Sequence, residues 1–295
     1  MSESPAVPMR RASRWRARRP RASWRSGLAQ VVLPLLVAVA FVGGWELYVV
    51  VSGINEILLP PPTRVASALW SNRSTLESDA LVTIKEIVLG YLLAVAFGIG
   101  FAILVHSSRI VERALYPWLV VSQMIPIVAI APVFVLWTGF DIRPKLIVIT
   151  LVCFFPITVN TIDGLRAVEP ELLNLLRTLG ASRLQRFRMA QFPAALPFVF
   201  SGLKVGAAFS VLGAVFGEWV GANSGLGYEI LVLNNQSATA DMFAAIVLLS
   251  VIGIAMFVVV SLLERLALPW YYGARRARRD QPSVTAPALG GDRVG

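Results

Sequence analysis

Residues 242–266 read MFAAIVLLSVIGIAMFVVVSLLERL, and the stretch carries no charged side chain before Glu264. The hydrocarbon core of a bilayer is about 30 Å thick, and a helix needs about 20 apolar residues to cross it. The stretch is long enough, and its apolar residues form a continuous block instead of one amphipathic stripe. We therefore predict a membrane-spanning helix here.

Five further apolar blocks precede this one. The chain has 295 residues, of which 56% are hydrophobic and only 15% charged, whereas a soluble domain carries about a quarter of its residues as Asp, Glu, Lys and Arg. A helix satisfies its own backbone polar groups in lipid and is the simplest spanning element. The sequence thus predicts an all-α membrane protein with about six transmembrane helices, at roughly 31–51, 80–105, 114–138, 144–162, 195–221 and 242–266.

The distribution of Lys and Arg indicates the orientation of these helices. If six spans alternate sides, one side carries 21 Lys and Arg residues and the other carries 4, with Lys85 and Lys204 left inside spans. Cytoplasmic segments of membrane proteins carry the excess of basic residues. Both termini are therefore predicted to lie in the cytoplasm, and bilayer topology explains the net charge of +10 better than nucleic-acid binding does.

The two ends of the chain lack hydrophobic periodicity. Residues 1–27 are rich in Arg, Ser and Pro and are predicted to form a disordered basic cytoplasmic tail. The apolar block after them approaches full spanning length without an evident cleavage site, which favours a retained first span over a signal peptide. Residues 28–272 then form the transmembrane domain, and residues 273–295 are predicted to be a second disordered cytoplasmic tail.

The longest predicted cytoplasmic loop has the signals of two helices joined by a tight turn. Residues 163–193 read DGLRAVEPELLNLLRTLGASRLQRFRMAQFP. Pro170 suits the first turn of a helix, Gly180 suits the position after its end, and Ser182 can cap the next helix. Leucines at helical spacing give the first helix an apolar ridge outside the membrane. The ridge packs on the protein's own cytoplasmic ends, lies in the lipid interface, or binds a partner protein.

This loop resembles the cytoplasmic loop of ABC importer permeases, whose consensus is Glu-Ala-Ala, three residues, Gly, nine residues and Ile-x-Leu-Pro. Gly180 matches the consensus glycine and Pro193 matches the proline. Asn174-Leu175-Leu176 replaces Glu-Ala-Ala, and Ala190 and Phe192 replace Ile and Leu, so an acidic contact at position 174 is not expected.

The resemblance covers about residues 45–270. Four stretches are similar to the nitrate/sulfonate/taurine-type permeases: Leu59–Pro62, Val121–Pro126, Cys153–Pro156 with Asn160–Gly164, and Gly217–Gly227. The last two are most similar to the branch associated with riboflavin and with thiamine-precursor pyrimidines. The substrate implied is a small polar solute of that branch, or a sulfonate, nitrate or taurine-like compound.

The resemblance implies a type I ABC importer architecture in a bacterial inner membrane. Two permease subunits, as a homodimer or a heterodimer, would form the passage, two cytoplasmic ATPase subunits would drive it, and an extracytoplasmic binding protein would deliver the substrate. The chain has no Gly-x-x-x-x-Gly-Lys-Ser/Thr motif, so we expect it to be no enzyme and to bind no cofactor, with ATP acting on the partner. The coupling loop 163–193 would dock on the ATPase through Leu175, Leu176, Leu179, Gly180 and Ala181.

Polar residues near the spans suggest a translocation path. Gln123 and Asn160 lie beside prolines that could kink helices, and Glu218 lies in the glycine-rich stretch that leads to an external loop, where it could line an outer gate or orient the loop. Other charges near span ends, including Glu86, are interpreted as interfacial. Stripes of small residues at four-residue spacing predict close helix contacts, either within the chain or between two permeases.

Two other classes of protein are weighed against this interpretation. A secondary transporter would need deep ionisable residues for ion coupling, and few are present. An intramembrane enzyme would need a nucleophile with a base or a cluster of metal ligands, whereas the chain has one His and one Cys, the latter interpreted as a small core residue.

Overall fold

The computed structural model describes residues 24–271, with side chains from residue 32 onward. Most of the predicted N-terminal tail and all of the predicted tail at 273–295 lie outside the described residues. The first helix, α1 (Trp24–Ser52), belongs to a unit of its own that ends at Gly53. The remaining described residues, from Ile54 onward, form a second unit.

All regular structure in the described part of the second unit is helical. Its helices are α2 (Pro62–Ser71), α3 (Arg73–His106), α4 (Arg109–Ser122), α5 (Ile127–Thr138), α6 (Ile142–Arg166), α7 (Pro170–Thr178), α8 (Arg183–Arg186), a π-helical turn (Phe187–Gln191), α9 (Phe192–Gly221), α10 (Leu226–Asn235) and α11 (Thr239–Ala267). Five helical segments within the described residues are long and apolar enough to cross a membrane: α1, α3, α6, α11 and the continuous segment Arg183–Gly221. These segments confirm five of the six predicted spans.

The third predicted span, 114–138, is apolar enough to cross a membrane but is not straight. The structure breaks it into α4 and α5, whose axes differ by 98°. Pro126 directly precedes α5 in an extended conformation, and a proline has no N–H with which to continue α4. The pair forms either one broken span or a re-entrant loop, so the described residues contain five or six spans.

Helix α6 forms the centre of the second unit and packs against both α3 and α9. Gly90 and Gly98 of α3 face Ile149 and Ile157 of α6, so these two helices run parallel. Helices α6 and α9 run antiparallel, because residues late in α6 face residues early in α9. Gly202 of α9 lies against Pro156, Gly213 against Ile149 and Gly217 against Lys145.

The small-residue stripes therefore pack within the chain. A Cβ atom added at Gly202 would come within 2.8 Å of the Pro156 carbonyl oxygen, and one at Gly213 within 2.9 Å of the Ile149 Cα. Such approach lets side chains bond to the neighbouring backbone. The Cys153 thiol donates to the Gly206 carbonyl over 3.2 Å, and the Tyr91 hydroxyl to the Leu203 carbonyl over 2.7 Å. Of the two interpretations of the stripes, contact within the chain is the one observed.

A valine at Gly90 should destabilise the protein, because its Cβ would lie 2.7 Å from the Cβ and Cγ2 atoms of Ile149 and force α3 away from α6. Overpacking of this kind costs about 1–3 kcal/mol. Thermal unfolding in detergent would measure the loss.

Gly100→Val is the matched control on the same helix, because a Cβ at Gly100 meets no atom within 4 Å. Equal stability of the two variants would contradict the packing of α3 on α6 described here.

Candidate functional site

The turn between α7 and α8 is closed by backbone hydrogen bonds in a Schellman arrangement. Gly180 has φ +81°, a conformation that side chains other than glycine rarely adopt. Its N–H donates to the Arg177 carbonyl over 3.0 Å, and the Ala181 N–H donates to the Leu176 carbonyl over 2.9 Å. These bonds satisfy carbonyls at the end of α7 that would otherwise lack a partner. The predicted tight turn is confirmed in position and in mechanism.

The second limb of this hairpin begins with a capping box. The Ser182 hydroxyl accepts from the Gln185 N–H over 3.3 Å, and the Gln185 side chain accepts from the Ser182 N–H over 2.7 Å. From there α8, the π turn and α9 run on without a break, so that Arg183–Gly221 is one helical segment of 39 residues. The hairpin is therefore joined directly to a membrane-spanning helix.

The predicted leucine ridge is exposed. The exposed fraction is 56% for Leu175 and 73% for Leu179. Gly180 is also exposed, and Leu176 and Ala181 are half-buried. The alternative in which the ridge packs on the protein's own cytoplasmic ends does not hold for Leu175 and Leu179. The structure brings the five predicted docking residues together on one hairpin, and docking itself stays a prediction.

At the end of α9 remote from the hairpin, Glu218 is fully buried and holds the start of α10. Its carboxylate accepts from the Thr83 hydroxyl over 2.6 Å and from the N–H groups of Gly227 and Tyr228 over 2.5 and 3.3 Å. Gly227 and Tyr228 lie in the first turn of α10, whose N–H groups have no partner inside the helix. A negative charge at a helix N-terminus is favourable, so Glu218 caps α10 from another helix.

Two residues of α3 extend this contact. Asp79 accepts from the Gly225 N–H over 2.9 Å, and Thr83 accepts from the Leu226 N–H over 2.9 Å. The segment 222–228 after α9 is therefore fixed to α3 and α9 by hydrogen bonds from its own backbone.

Glu229 of α10 lies near this contact. Burial raises the pKa of Glu229, and the nearby carboxylates of Asp79 and Asp241 raise it further.

Glu86 was expected at the membrane interface, and this expectation is wrong. Its side chain is only 2% exposed, and its carboxylate lies 2.6 Å from the Lys145 ammonium of α6, which is 7% exposed. A second pair joins Lys204 of α9 to Glu264 of α11 over 2.8 Å. The interfacial interpretation treated each residue singly, whereas its partner lies on another helix.

Of the three residues predicted for the translocation path, Asn160 and Glu218 are not brought together. Gln123 is exposed at the end of α4, where the chain breaks. Asn160 is half-buried, its side-chain amide donates to the Pro156 carbonyl over 2.8 Å, and it lies beside Gly202. Gly202 and Glu218 are separated by about 24 Å along α9 at 1.5 Å per residue. Glu218 faces the protein interior, so the geometry agrees with an orienting role for it.

Sequence comparison places this architecture in a known family. The model of the binding-protein-dependent transport system inner membrane component family matches residues 90–269, which contain α6, the hairpin and α9. The chain belongs to this family. The members of this family are membrane components of transport systems, so this chain is a membrane transport protein.

Three relatives indicate the group within this family to which the permease is similar. The permease is 38% identical over 242 residues to a formylaminopyrimidine transport permease protein of Halalkalibacterium halodurans, which covers 82% of this chain and 96% of the relative. It is 34% identical over 228 residues to a riboflavin transport system permease protein of Chloroflexus aurantiacus (77% and 85% covered). A putative aliphatic sulfonates transport permease protein of Bacillus subtilis is 31% identical over 256 residues (85% and 90% covered).

These relatives confirm the resemblance found in the sequence. The chain is the permease subunit of an ABC importer of this group, and transporters of this kind work with an ATPase and a binding protein. The sequence did not predict Asp79, Thr83 and Lys145 as parts of the buried polar contacts.

Removal of one member of the buried ion pair should be costly. We expect Lys145→Met to destabilise the permease by about 3–5 kcal/mol, because it leaves the Glu86 carboxylate buried and unpaired. The double variant with Glu86→Met should recover most of this loss, because no buried charge remains. Denaturation in mixed detergent micelles would measure both.

Lys85→Met provides the control, because Lys85 is the exposed neighbour of Glu86 on the same helix. If Lys145→Met lowered the stability no more than Lys85→Met does, the pair of Lys145 and Glu86 would not stabilise the structure.

Proposed function

We propose that the hairpin of α7 and α8 is the element through which a cytoplasmic ATPase drives this importer permease. The observation that supports this proposal is an exposed leucine ridge on a hairpin that continues directly into the membrane-spanning helix α9. An exposed apolar ridge favours a protein partner, since burial of apolar surface stabilises association. Leu175, Leu176, Leu179, Gly180 and Ala181 form the proposed docking face.

The proposed assembly contains two copies of the permease, two ATPase subunits and one extracytoplasmic binding protein. This chain lacks a phosphate-binding loop motif, so ATP would act on the partner and the chain itself would bind no cofactor. The homodimer is favoured as the simplest closed arrangement of a single permease type. Both termini and the hairpin face the cytoplasm in this proposal, in keeping with the distribution of Lys and Arg.

In the proposed cycle, closure of the ATPase dimer moves the hairpin as a rigid body. Helix α9 transmits the displacement because no loop separates it from the hairpin. At its far end, Glu218 transfers the movement to the start of α10. The permease then alternates between inward-facing and outward-facing packings, whose populations depend on the affinity of the ATPase for ATP in each.

The proposed substrate is a small polar nitrogen heterocycle. Two relatives with high coverage are permeases for formylaminopyrimidine and riboflavin, and both compounds contain a pyrimidine ring. An aliphatic sulfonate or a taurine-like solute is the second candidate, supported by the more distant sulfonate and taurine permeases. Gln123 and Asn160 stay our candidates for the path, and Glu218 is assigned to the outer end of α9.

Replacement of Gly180 by valine should abolish uptake and the coupling of ATP hydrolysis to transport, while membrane insertion stays intact. Valine rarely adopts a positive φ, so the hairpin turn would deform and the docking face with it. Uptake of labelled formylaminopyrimidine into vesicles and the ATPase rate of the assembled importer are the two measurements.

Gly139→Val is the matched control, because Gly139 also has a positive φ (+84°) and open space around it but lies outside the hairpin. Full transport by the Gly180→Val variant, or an equal loss in the control, would refute the proposed role of the hairpin.

Cysteine crosslinking tests both docking and orientation. The single native cysteine, Cys153, is buried, so a variant with Cys153→Ala offers a background without thiols. We expect Leu179→Cys to crosslink to the ATPase and to resist a membrane-impermeant thiol reagent added outside cells.

Asn223→Cys, exposed in the segment after α9, should show the opposite behaviour on both counts. External labelling at position 179 would reverse the proposed orientation, and crosslinking of neither site to the ATPase would contradict docking.

A further inference from the structure

A cavity lies on the hairpin side of the permease, between the hairpin and the junction of α3 with α4. Its volume is about 730 Å³. One wall contains His106 at the end of α3 and Arg109 at the start of α4, and the opposite wall contains Arg183 and Arg186 of α8. We call this space the arginine cavity. It joins the hairpin to the membrane helices without forming part of the exposed leucine ridge.

The charge of the arginine cavity is strongly positive. Within residues 32–271, no carboxylate forms an ion pair with Arg109, Arg183 or Arg186. Glu112 also lines the cavity, but its carboxylate is already paired with Arg166. Three arginines without a carboxylate partner thus line one cavity, and the repulsion among like charges is reduced when an anion binds between them.

Two buried nitrogen atoms of residues that line the cavity have no hydrogen-bond partner within the described part of the chain: Nε of Arg186 and Nδ1 of His106. The side-chain amide of Gln191 lies 2.9 Å from His106 Nε2. With that amide donating to Nε2, a neutral His106 carries its proton on Nδ1. Burial of a donor without an acceptor is unfavourable, so a ligand that accepts hydrogen bonds would stabilise these two groups.

The geometry favours a phosphate group over a carboxylate. The start of α4 adds to the positive charge: Ser108 caps this helix of 14 residues, and its N-terminal N–H groups and dipole favour an anion. Guanidinium groups bind the oxygens of phosphate in a planar, bidentate manner. Several donors from two walls suit an anion with three or four oxygens.

The size and the apolar part of the lining indicate that the ligand is more than a bare anion. Ile103, Leu184 and Phe187 contribute apolar surface to the cavity. A volume near 730 Å³ lies within the range of about 300–1,000 Å³ that is common for pockets for organic ligands. A phosphate group alone would leave most of this space unfilled.

We propose that the arginine cavity binds a phosphate group carried on a small organic body, with Arg109, Arg183 and Arg186 as its ligands. The source is either the headgroup of an anionic lipid or a soluble phosphate ester. A phosphate held by both walls ties α8 to the junction of α3 and α4. The consequence for transport rests on the proposed function of the hairpin, because only then does this tie stiffen the link between the ATPase and the spans.

Binding is tested on the full-length permease in detergent, alone and assembled with its ATPase, by native mass spectrometry. The probes are phosphatidylglycerol, diacylglycerol as the lipid without phosphate, and glycerol 3-phosphate as the soluble ester. We expect retention of phosphatidylglycerol over diacylglycerol. The variant Arg109→Gln with Arg183→Gln should weaken binding about a hundredfold, since each of the two lost charged hydrogen bonds is worth about tenfold.

Several controls keep the outcome clear. Arg109 and Arg183 are exposed, so their replacement should leave the thermal midpoint unchanged, and Arg186→Gln serves as a second, independent variant. Arg188→Gln removes an exposed arginine of the π turn that does not line the cavity, and it should bind like the wild type. Displacement of phosphatidylglycerol by glycerol 3-phosphate assigns the soluble source, and its persistence assigns the lipid.

The proposal is overturned if diacylglycerol binds equally well, if the cavity variants bind like the wild type, or if Arg188→Gln loses as much. It is also overturned if addition of the ATPase expels every probe, because an acidic side chain of the partner would then occupy the cavity. The readout is binding and requires no transport. Its failure is therefore distinct from a failure of the hairpin to dock.

Discussion

Close contact of α6 with α3 and α9 is the constraint on which the rest of this permease depends. Lipid offers little hydrophobic drive for helices to associate, so the contact relies on dispersion and on short hydrogen bonds. Glycines of α3 and α9 permit that approach, and both helices contact Ile149 and Ile157 of α6. The same approach places Lys145 beside Glu86, because α6 and α3 are close enough for a short bridge.

The polar contacts of the protein are arranged around this helical centre. A charge inside a bilayer is expensive unless it is paired, and both Lys145 and Lys204 meet a carboxylate from another helix. Glu218 instead uses backbone N–H groups as partners. Ion pairs thus fix the helices to one another, whereas Glu218 fixes a connecting segment to them. Helix α9 contributes to both and is continuous with the hairpin at its other end.

Local features of the hairpin were predictable from the sequence in detail. Pro170, Gly180 and Ser182 each act on the backbone within a few residues of themselves, so their neighbours in the sequence were enough to place two helices and the turn. The apolar spans were predictable for the same reason, since length and composition decide them. Pro126 indicated that the helix over 114–138 would be kinked, but the size of the bend between α4 and α5 depends on packing against distant helices.

Contacts between distant parts of the chain could not be predicted from the sequence pattern. Glu86 and Lys145 are 59 positions apart, and Thr83 and Glu218 are 135 apart. Each residue alone looks interfacial, and only the order of α3, α6 and α9 in space pairs them. Opposite charges at a similar depth in two predicted spans were the signal that could have suggested the ion pair. The small-residue stripes likewise predicted contact but not the partner.

The π turn at Phe187–Gln191 sets the direction in which the hairpin limb points. A π turn amounts to one residue inserted into an α-helix, and each residue of an α-helix accounts for a rotation of about 100°. The faces of α8 and α9 are therefore offset by roughly that angle from the phase of an uninterrupted helix. A single inserted residue thus decides which side of the hairpin is turned towards the membrane helices and which is turned away from them.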